Sequence, residues 1–186
     1  MRVLILPVGV RNERILYGIR DGILKVFPRS LCSVSEETLP IPSIAYNASR
    51  QQYLSTIILR SIREYAARIS DKRAFNRFLG VADVDLYVPG LNFIFGEAEC
   101  PGEAAIISLH RLRPEFYGKP SSWSLFIERA VKEAIHEIGH TLGLRHCPDS
   151  TCVMHFSLHI GMTDSKRGEF CEACRLKAER YDALLS

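Results

Sequence analysis

Residues 136–146 read HEIGHTLGLRH, with three histidines, one glutamate and two glycines in eleven positions. On an α-helix, residues four apart project from one face, so His136 and His140 can aim their imidazoles at one ion. Glu137 is rotated by about 100° from His136, and its carboxylate can reach a water held by that ion. Gly143 comes one turn after His140, where a residue of positive φ ends a helix sharply. That turn can swing His146 back as a third nitrogen ligand. Three histidines plus water make the open tetrahedral site of a catalytic zinc, whereas a structural zinc is closed by four protein ligands. Zinc lowers the pKa of its water towards neutrality, and Glu137 can take the proton and pass it to a leaving amine. A single histidine on a helix is ordinarily just a solvated side chain, and H-E-x-x-H alone occurs by chance. Requiring Gly143 and His146 as well removes most chance matches.

A second cluster follows directly. The chain has six cysteines, Cys32, Cys100, Cys147, Cys152, Cys171 and Cys174, four of them near the C-terminus. Cys147 and Cys152 are separated by four residues, and Cys171 and Cys174 by two. Two such pairs suit a closed tetrahedral thiolate site for a structural zinc. A disulfide, a redox pair at Cys171 and Cys174, or buried free thiols are the alternatives.

The continuous run HEIGHTLGLRHCPDSTCVMHF…CEAC resembles the archaemetzincins, a family of metzincin-type zinc peptidases, with its specificity concentrated in residues 136–174. H-E-x-x-H-x-x-G-x-x-H is the metzincin signature, and Met154 in CVMHF sits where metzincins carry a methionine turn beneath the zinc. Met154 also reads simply as a core filler, and the two roles do not conflict. YNASRQQYLSTIIL (46–59) and LNFIFGEA (91–98) look like the family's N-terminal helix and strand. The resemblance implies a catalytic zinc on His136, His140 and His146, with Glu137 as general base. It also implies a second zinc on Cys147, Cys152, Cys171 and Cys174. Phe156 stands where some metzincins place a tyrosine ligand, so no such ligand is expected.

These residues need elements to hold them. SSWSLFIERAVKEAIHEIGHTLG reads as one helix from Ser121 or Ser122 to about Leu142, with Trp123, Phe126, Ile127, Ala130, Ile135, Ile138 and Leu142 apolar. A last helix spans about 172–185. Upstream, RVLILPV (2–8) has the continuous apolar run of a strand covered on both faces. A helical pattern follows at Ile15, Leu16, Ile19, Ile23 and Leu24, and a second strand around SLCSVS (30–35). Ser49 with Gln52 forms a capping box, which predicts a helix starting at Ser49 and burying Tyr53, Ile57, Ile58, Ile62, Tyr65, Ala66 and Ile69. A shorter helix is expected over 71–79, stopped by Gly80. Three strands are expected at 84–88, 92–96 and 104–109. The fold class is therefore α+β: a mixed, twisted sheet packed with helices, metzincin-like by resemblance, in one domain covering 1–186. Residues 1–143 form its sheet and helix part, and 144–186 a small part with the methionine turn and the four-cysteine site.

By resemblance, NFIFGEA is the edge strand that binds extended substrate, although its alternation also suits an interior strand. Phe156 to Ile160 are expected to wall the pocket for the side chain after the scissile bond. His155 and His159 read as surface or supporting residues, His110 as structural, Cys100 as a loop or core thiol, and SKRGE (165–169) as a solvated loop.

Length and composition set the remaining limits. The 186 residues are 47% hydrophobic and 24% charged with a net charge of +3, as in an ordinary globular chain. Lys and Arg are interspersed with Asp and Glu, which argues against nucleic acid as a partner. No apolar run is long enough to cross a bilayer, so no membrane partner is expected. The expectation is a cytoplasmic, monomeric zinc metallopeptidase that hydrolyses peptide or protein substrates by a zinc-bound water activated by Glu137, with two zinc ions. The competing reading is a catalytically silent zinc protein that binds peptides or a partner.

Overall fold

The computed structural model describes residues 1–9, 11–69 and 74–184. In chain order its elements are β1 (Arg2–Val8), α1 (Glu13–Val26), β2 (Leu31–Val34), β3 (Tyr46–Asn47), β4 (Gln52–Leu54), α2 (Ser55–Arg68), β5 (Arg77–Ala82), β6 (Leu86–Tyr87), β7 (Gly96–Ala98), β8 (Ala104–Ser108), α3 (Trp123–Thr141), α4 (Ile160–Ser165) and α5 (Glu172–Leu184). The described residues form a five-stranded sheet of order β2-β1-β5-β8-β7 and a small sheet of order β3-β4-β6. The first four strands of the large sheet run parallel, and β7 closes one edge antiparallel to β8.

Both faces of the large sheet are covered, which is why β1, β5 and β8 are apolar apart from the terminal Arg2, Arg77 and Ser108. Val3, Ile5, Leu79, Val81, Ala105 and Ile107 face α1 and α3, while Leu4, Leu6, Phe78 and Ile106 face α2. Among the described residues of the 144–186 part, the buried Cys152, Met154, Cys174 and Ala178 join the same cluster as α1 and α3. Asn12 caps α1 and Ser122 caps α3, each side chain accepting from the backbone N–H three residues on. Among the described residues, no helix is long and apolar enough to cross a membrane.

Three expectations are corrected. The capping box at Ser49 does not form. The Asn47 side-chain oxygen accepts from the Ser49 hydroxyl at 2.7 Å and the Arg50 N–H at 3.2 Å, which makes a turn between β3 and β4. Gln52 instead donates to Asp85 and to the Asn92 carbonyl, and α2 begins at Ser55. The helix expected over 71–79 is overturned for its described part, because 77–82 are the central strand β5. A short apolar run fits either structure, and here pairing with β1 and β8 decides. Gly80 stops nothing: it lets α2 approach, since a Cβ there would lie 2.3 Å from Ile62 Cδ1. Residues 71–73 lie outside the described residues. Of the strand expected at 84–88 only Leu86–Tyr87 is extended, in the small sheet, and that at 92–96 shifts to 96–98.

Candidate metal centre and cleft

α3 is the floor of the site. It ends in a Schellman turn: Leu144 N–H donates to Gly139 O at 3.1 Å, and Gly143 N–H to His140 O at 2.8 Å. Gly143 takes φ 74°, the left-handed conformation that glycine adopts freely, and the chain turns back so that His146 faces α3. The ligand atoms of His136, His140 and His146 all lie within 4.8 Å of one another.

Second contacts fix two of the rings. His136 Nδ1 lies 2.7 Å from Val153 O, and His140 Nδ1 lies 2.7 Å from Leu144 O. A carbonyl can only accept, so each Nδ1 carries the proton and each Nε2 presents a lone pair. The two Nε2 atoms stand 3.1 Å apart. With both protons on Nδ1, that contact is not a hydrogen bond between neutral rings but two lone pairs converging on one point. Tetrahedral zinc with Zn–N near 2.0–2.1 Å needs N···N of about 3.3 Å, so the pair fits the ion. Burial lowers the pKa of all three histidines, and the Lys166 charge adds to this, keeping the rings in the neutral form a metal needs.

Glu137 is 4% exposed, and its carboxylate reaches the cleft below β7. Gly96 makes room for it, because a Cβ there would lie 2.6 Å from Glu137 Oε1. Burial raises the Glu137 carboxyl well above its usual range, the Glu133 charge pushes the same way, and Lys166 opposes. Beneath the histidines, Met154 is fully buried, its sulfur against Gly139.

Cys147, Cys152, Cys171 and Cys174 also converge within 4.8 Å, and all are free thiols. The Sγ atoms of Cys147 and Cys171 are 3.8 Å apart. Zn–S bonds of 2.3 Å in a tetrahedron place sulfurs about 3.8 Å apart, so this set fits zinc as well. Cys171 N–H donates to Cys152 Sγ at 3.3 Å, the kind of contact that supports a thiolate. The Cys174 backbone contact lowers the Cys171 pKa, whereas burial raises those of Cys152 and Cys174. The two clusters join through the Cys147 N–H to Met154 O bond at 2.9 Å.

The cleft encloses about 950 Å³ between the 88–98 segment above, α3 below, and Phe156, Ser157 and Leu158 at one end. β7 is its upper edge, as the resemblance implied for NFIFGEA, with strand geometry confined to Gly96–Ala98. His155 supports the site, its Nδ1 2.9 Å from Cys147 O, while His159 is exposed ahead of α4. His110 packs edge-on against Phe116, and Cys100 is an exposed loop thiol at the cleft's other end. Sequence reasoning missed Glu133, Thr163 and Lys166. Lys166 corrects the solvated-loop reading of 165–169: it is 3% exposed and donates to His155 O at 3.1 Å. Glu133 carried one usable signal, its place one helical turn before Glu137.

A mixed sheet whose antiparallel edge strand borders a cleft floored by an H-E-x-x-H helix defines a metzincin-like zinc peptidase. The model for peptidase family M54 matches residues 19–180. The chain is 45% identical to the archaemetzincin of Methanocaldococcus jannaschii over 186 residues, 100% of this chain and 97% of that one. The crystal structure of archaemetzincin from Methanopyrus kandleri superposes with a TM-score of 0.83 at 33% identity, covering 98% and 96% of the two chains. A zinc-dependent peptidase from Methanocorpusculum labreanum gives 0.85 at 29% identity, covering 95% and 99%. The chain belongs to peptidase family M54, the archaemetzincins, and is a zinc-dependent peptidase acting on peptide or protein substrates.

Proposed function

We propose that His136, His140 and His146 hold the catalytic zinc, that Glu137 is the general base, and that Cys147, Cys152, Cys171 and Cys174 hold a second, structural zinc, all within one domain. The observation that carries this reading is the pair of Nε2 lone pairs 3.1 Å apart, each set by a carbonyl on the ring's other nitrogen. When bound there, zinc supplies a Lewis acid that polarises the peptide carbonyl and acidifies water.

The chain's own groups supply the rest. Phe95 O accepts from Ser108 N–H, and Glu99 N–H donates to Ala104 O, so these residues turn their main chain towards β8. By the alternation of an antiparallel ladder, Gly96 and Ala98 turn theirs towards the cleft, where an extended substrate pairs antiparallel. Glu137 takes a proton from the attacking water and delivers it to the leaving amine. Its raised pKa suits a base that holds the proton before passing it on. Phe156 and the residues after it wall the pocket for the side chain beyond the scissile bond. Met154 packs under the ligand helix and Gly143 turns His146 inward. A zinc-loaded peptide-library assay tests the assignment: Glu137→Ala should lose at least 100-fold in kcat/KM while keeping its metal. Equal turnover by that variant would overturn the assignment of Glu137.

A further inference from the structure

We propose that the end of the cleft beside Glu137 selects a hydrogen-bond-donating side chain, foremost lysine or arginine, on the residue after the scissile bond, read by Glu133 and Ser157. This rests on the zinc and Glu137 assignments above and adds the substrate class.

Direction comes from two contacts. Gly102 N–H donates to Thr141 O at 3.2 Å, and Gly96 lies against Glu137, so α3 runs the same way as β7. A substrate paired antiparallel to β7 therefore enters with its N-terminal side near Cys100 and leaves past Glu137 towards Glu133. Glu133 lies four residues before Glu137, about 6 Å along the helix, and lines the same cleft as Phe156, Ser157 and Leu158.

The chemistry of that end is uneven. Glu133 Oε1 accepts from the Thr163 hydroxyl at 2.9 Å and lies 3.6 Å from Lys166 Nζ, while Oε2 has no hydrogen-bond partner among the described residues. The Ser157 hydroxyl oxygen is buried with no partner. Lys166 is itself inaccessible, its side chain 0% exposed, and serves to hold Glu133 in place. Packing for stability alone would not leave the Ser157 oxygen idle, because unpaired buried polar atoms are costly, and Glu133 lines the cleft with Oε2 free of any protein partner among the described residues. Phe156 and Leu158 are 37% and 60% exposed and offer apolar walls to a long aliphatic stem. Lysine and arginine match both parts, with stem on wall and cation on acceptors. A glutamate side chain would meet the carboxylates of Glu133 and Glu137 instead.

The test uses the zinc-loaded protein and short peptides carrying a hydroxamate in place of the scissile carbonyl, with Lys, Gln, Leu or Glu as first residue. Calorimetric affinities are compared for wild type, Glu133→Gln and Ser157→Ala, with acetohydroxamate as reference. The Lys probe should bind about tenfold tighter than Leu, and Glu weakest. Glu133→Gln should abolish the Lys preference, and Ser157→Ala, which leaves the Glu133–Lys166 pair intact, should reduce it several-fold. Equal affinities in wild type, or a preference unchanged in both variants, would overturn the proposal. Failure of acetohydroxamate itself to bind wild type would overturn the metal-site reading on which it rests.

Discussion

Replacing Gly96 by alanine puts one methyl group against Glu137, the proposed general base, without touching a proposed metal ligand. The new Cβ would stand 2.6 Å from Glu137 Oε1, 2.7 Å from its Cγ and 2.7 Å from Ile106 O, where ordinary contact begins at 3.4 Å. The carboxylate must therefore retreat by about 0.8 Å (3.4 − 2.6). A displacement near 1 Å at a reacting group costs roughly 100-fold in rate, equivalent to about 2.7 kcal/mol. The Ile106 carbonyl is fixed in the ladder between β8 and its neighbours and cannot yield as a side-chain end does. Overpacking there should cost about 1–3 kcal/mol of stability, or roughly 2–4 °C of Tm for each kcal/mol. Steady-state hydrolysis of a library-derived peptide, measured with zinc content and far-UV circular dichroism, reads all three effects. Gly96→Ala should keep its zinc and its fold and lose about 100-fold in kcat/KM. Full activity in a folded, zinc-loaded variant would refute the claim that Glu137 acts from this position.

Three further outcomes follow from other parts of the molecule. Arg129 is fully buried and clamped by both oxygens of Asp164 at 2.6 and 2.7 Å, which ties α4 and the cleft wall to α3. Asp164→Ala strands that charge, so thermal denaturation should show a loss of about 3 kcal/mol, a Tm drop of roughly 6–12 °C; a loss under about 1 kcal/mol would contradict the clamp. Burial pushes the Cys32 thiol up to about 12, with partial relief from the Arg20 charge. At pH 8 only about one part in ten thousand is then thiolate, so iodoacetamide should modify Cys32 at least 100-fold more slowly than free cysteine. Because the folded pKa is raised, this group also lowers stability as pH rises from about 9 to 12, and leaves it unaffected below that window.

The centre was legible because its ligands are local. Eleven residues carry the three histidines, the proposed base Glu137 and the turning glycine, and helical geometry relates them without knowledge of the rest of the chain. The four cysteines were legible as a set by spacing alone, although only the folded chain shows Cys147 and Cys171 at 3.8 Å. β1 and α3 were read almost to the residue because their apolar patterns are long and fit one period only, while α1 was read as a helical pattern without bounds, its cap at Asn12 unnoticed. β5 was misread because a run of five apolar residues after Arg77 suits helix or strand equally, and its identity comes from partners more than 60 positions away in β1. The Ser49 cap failed for a similar reason, as Asn47 and Asp85 compete for its groups. Glu133 and Lys166 were invisible as a pair because no local pattern links residues 33 positions apart, and a lysine in a charged run reads as solvated until the fold buries it.

Zinc content by elemental analysis, on wild type, His140→Ala and Cys171→Ser, tests the central claim most directly. The account predicts two zinc ions per chain in wild type. His140→Ala should retain one with its fold intact and no peptidase activity. Cys171→Ser should lose the other together with stability. A single zinc unaffected by His140→Ala would contradict the account, leaving the four cysteines as the metal site and the histidines without a role in catalysis.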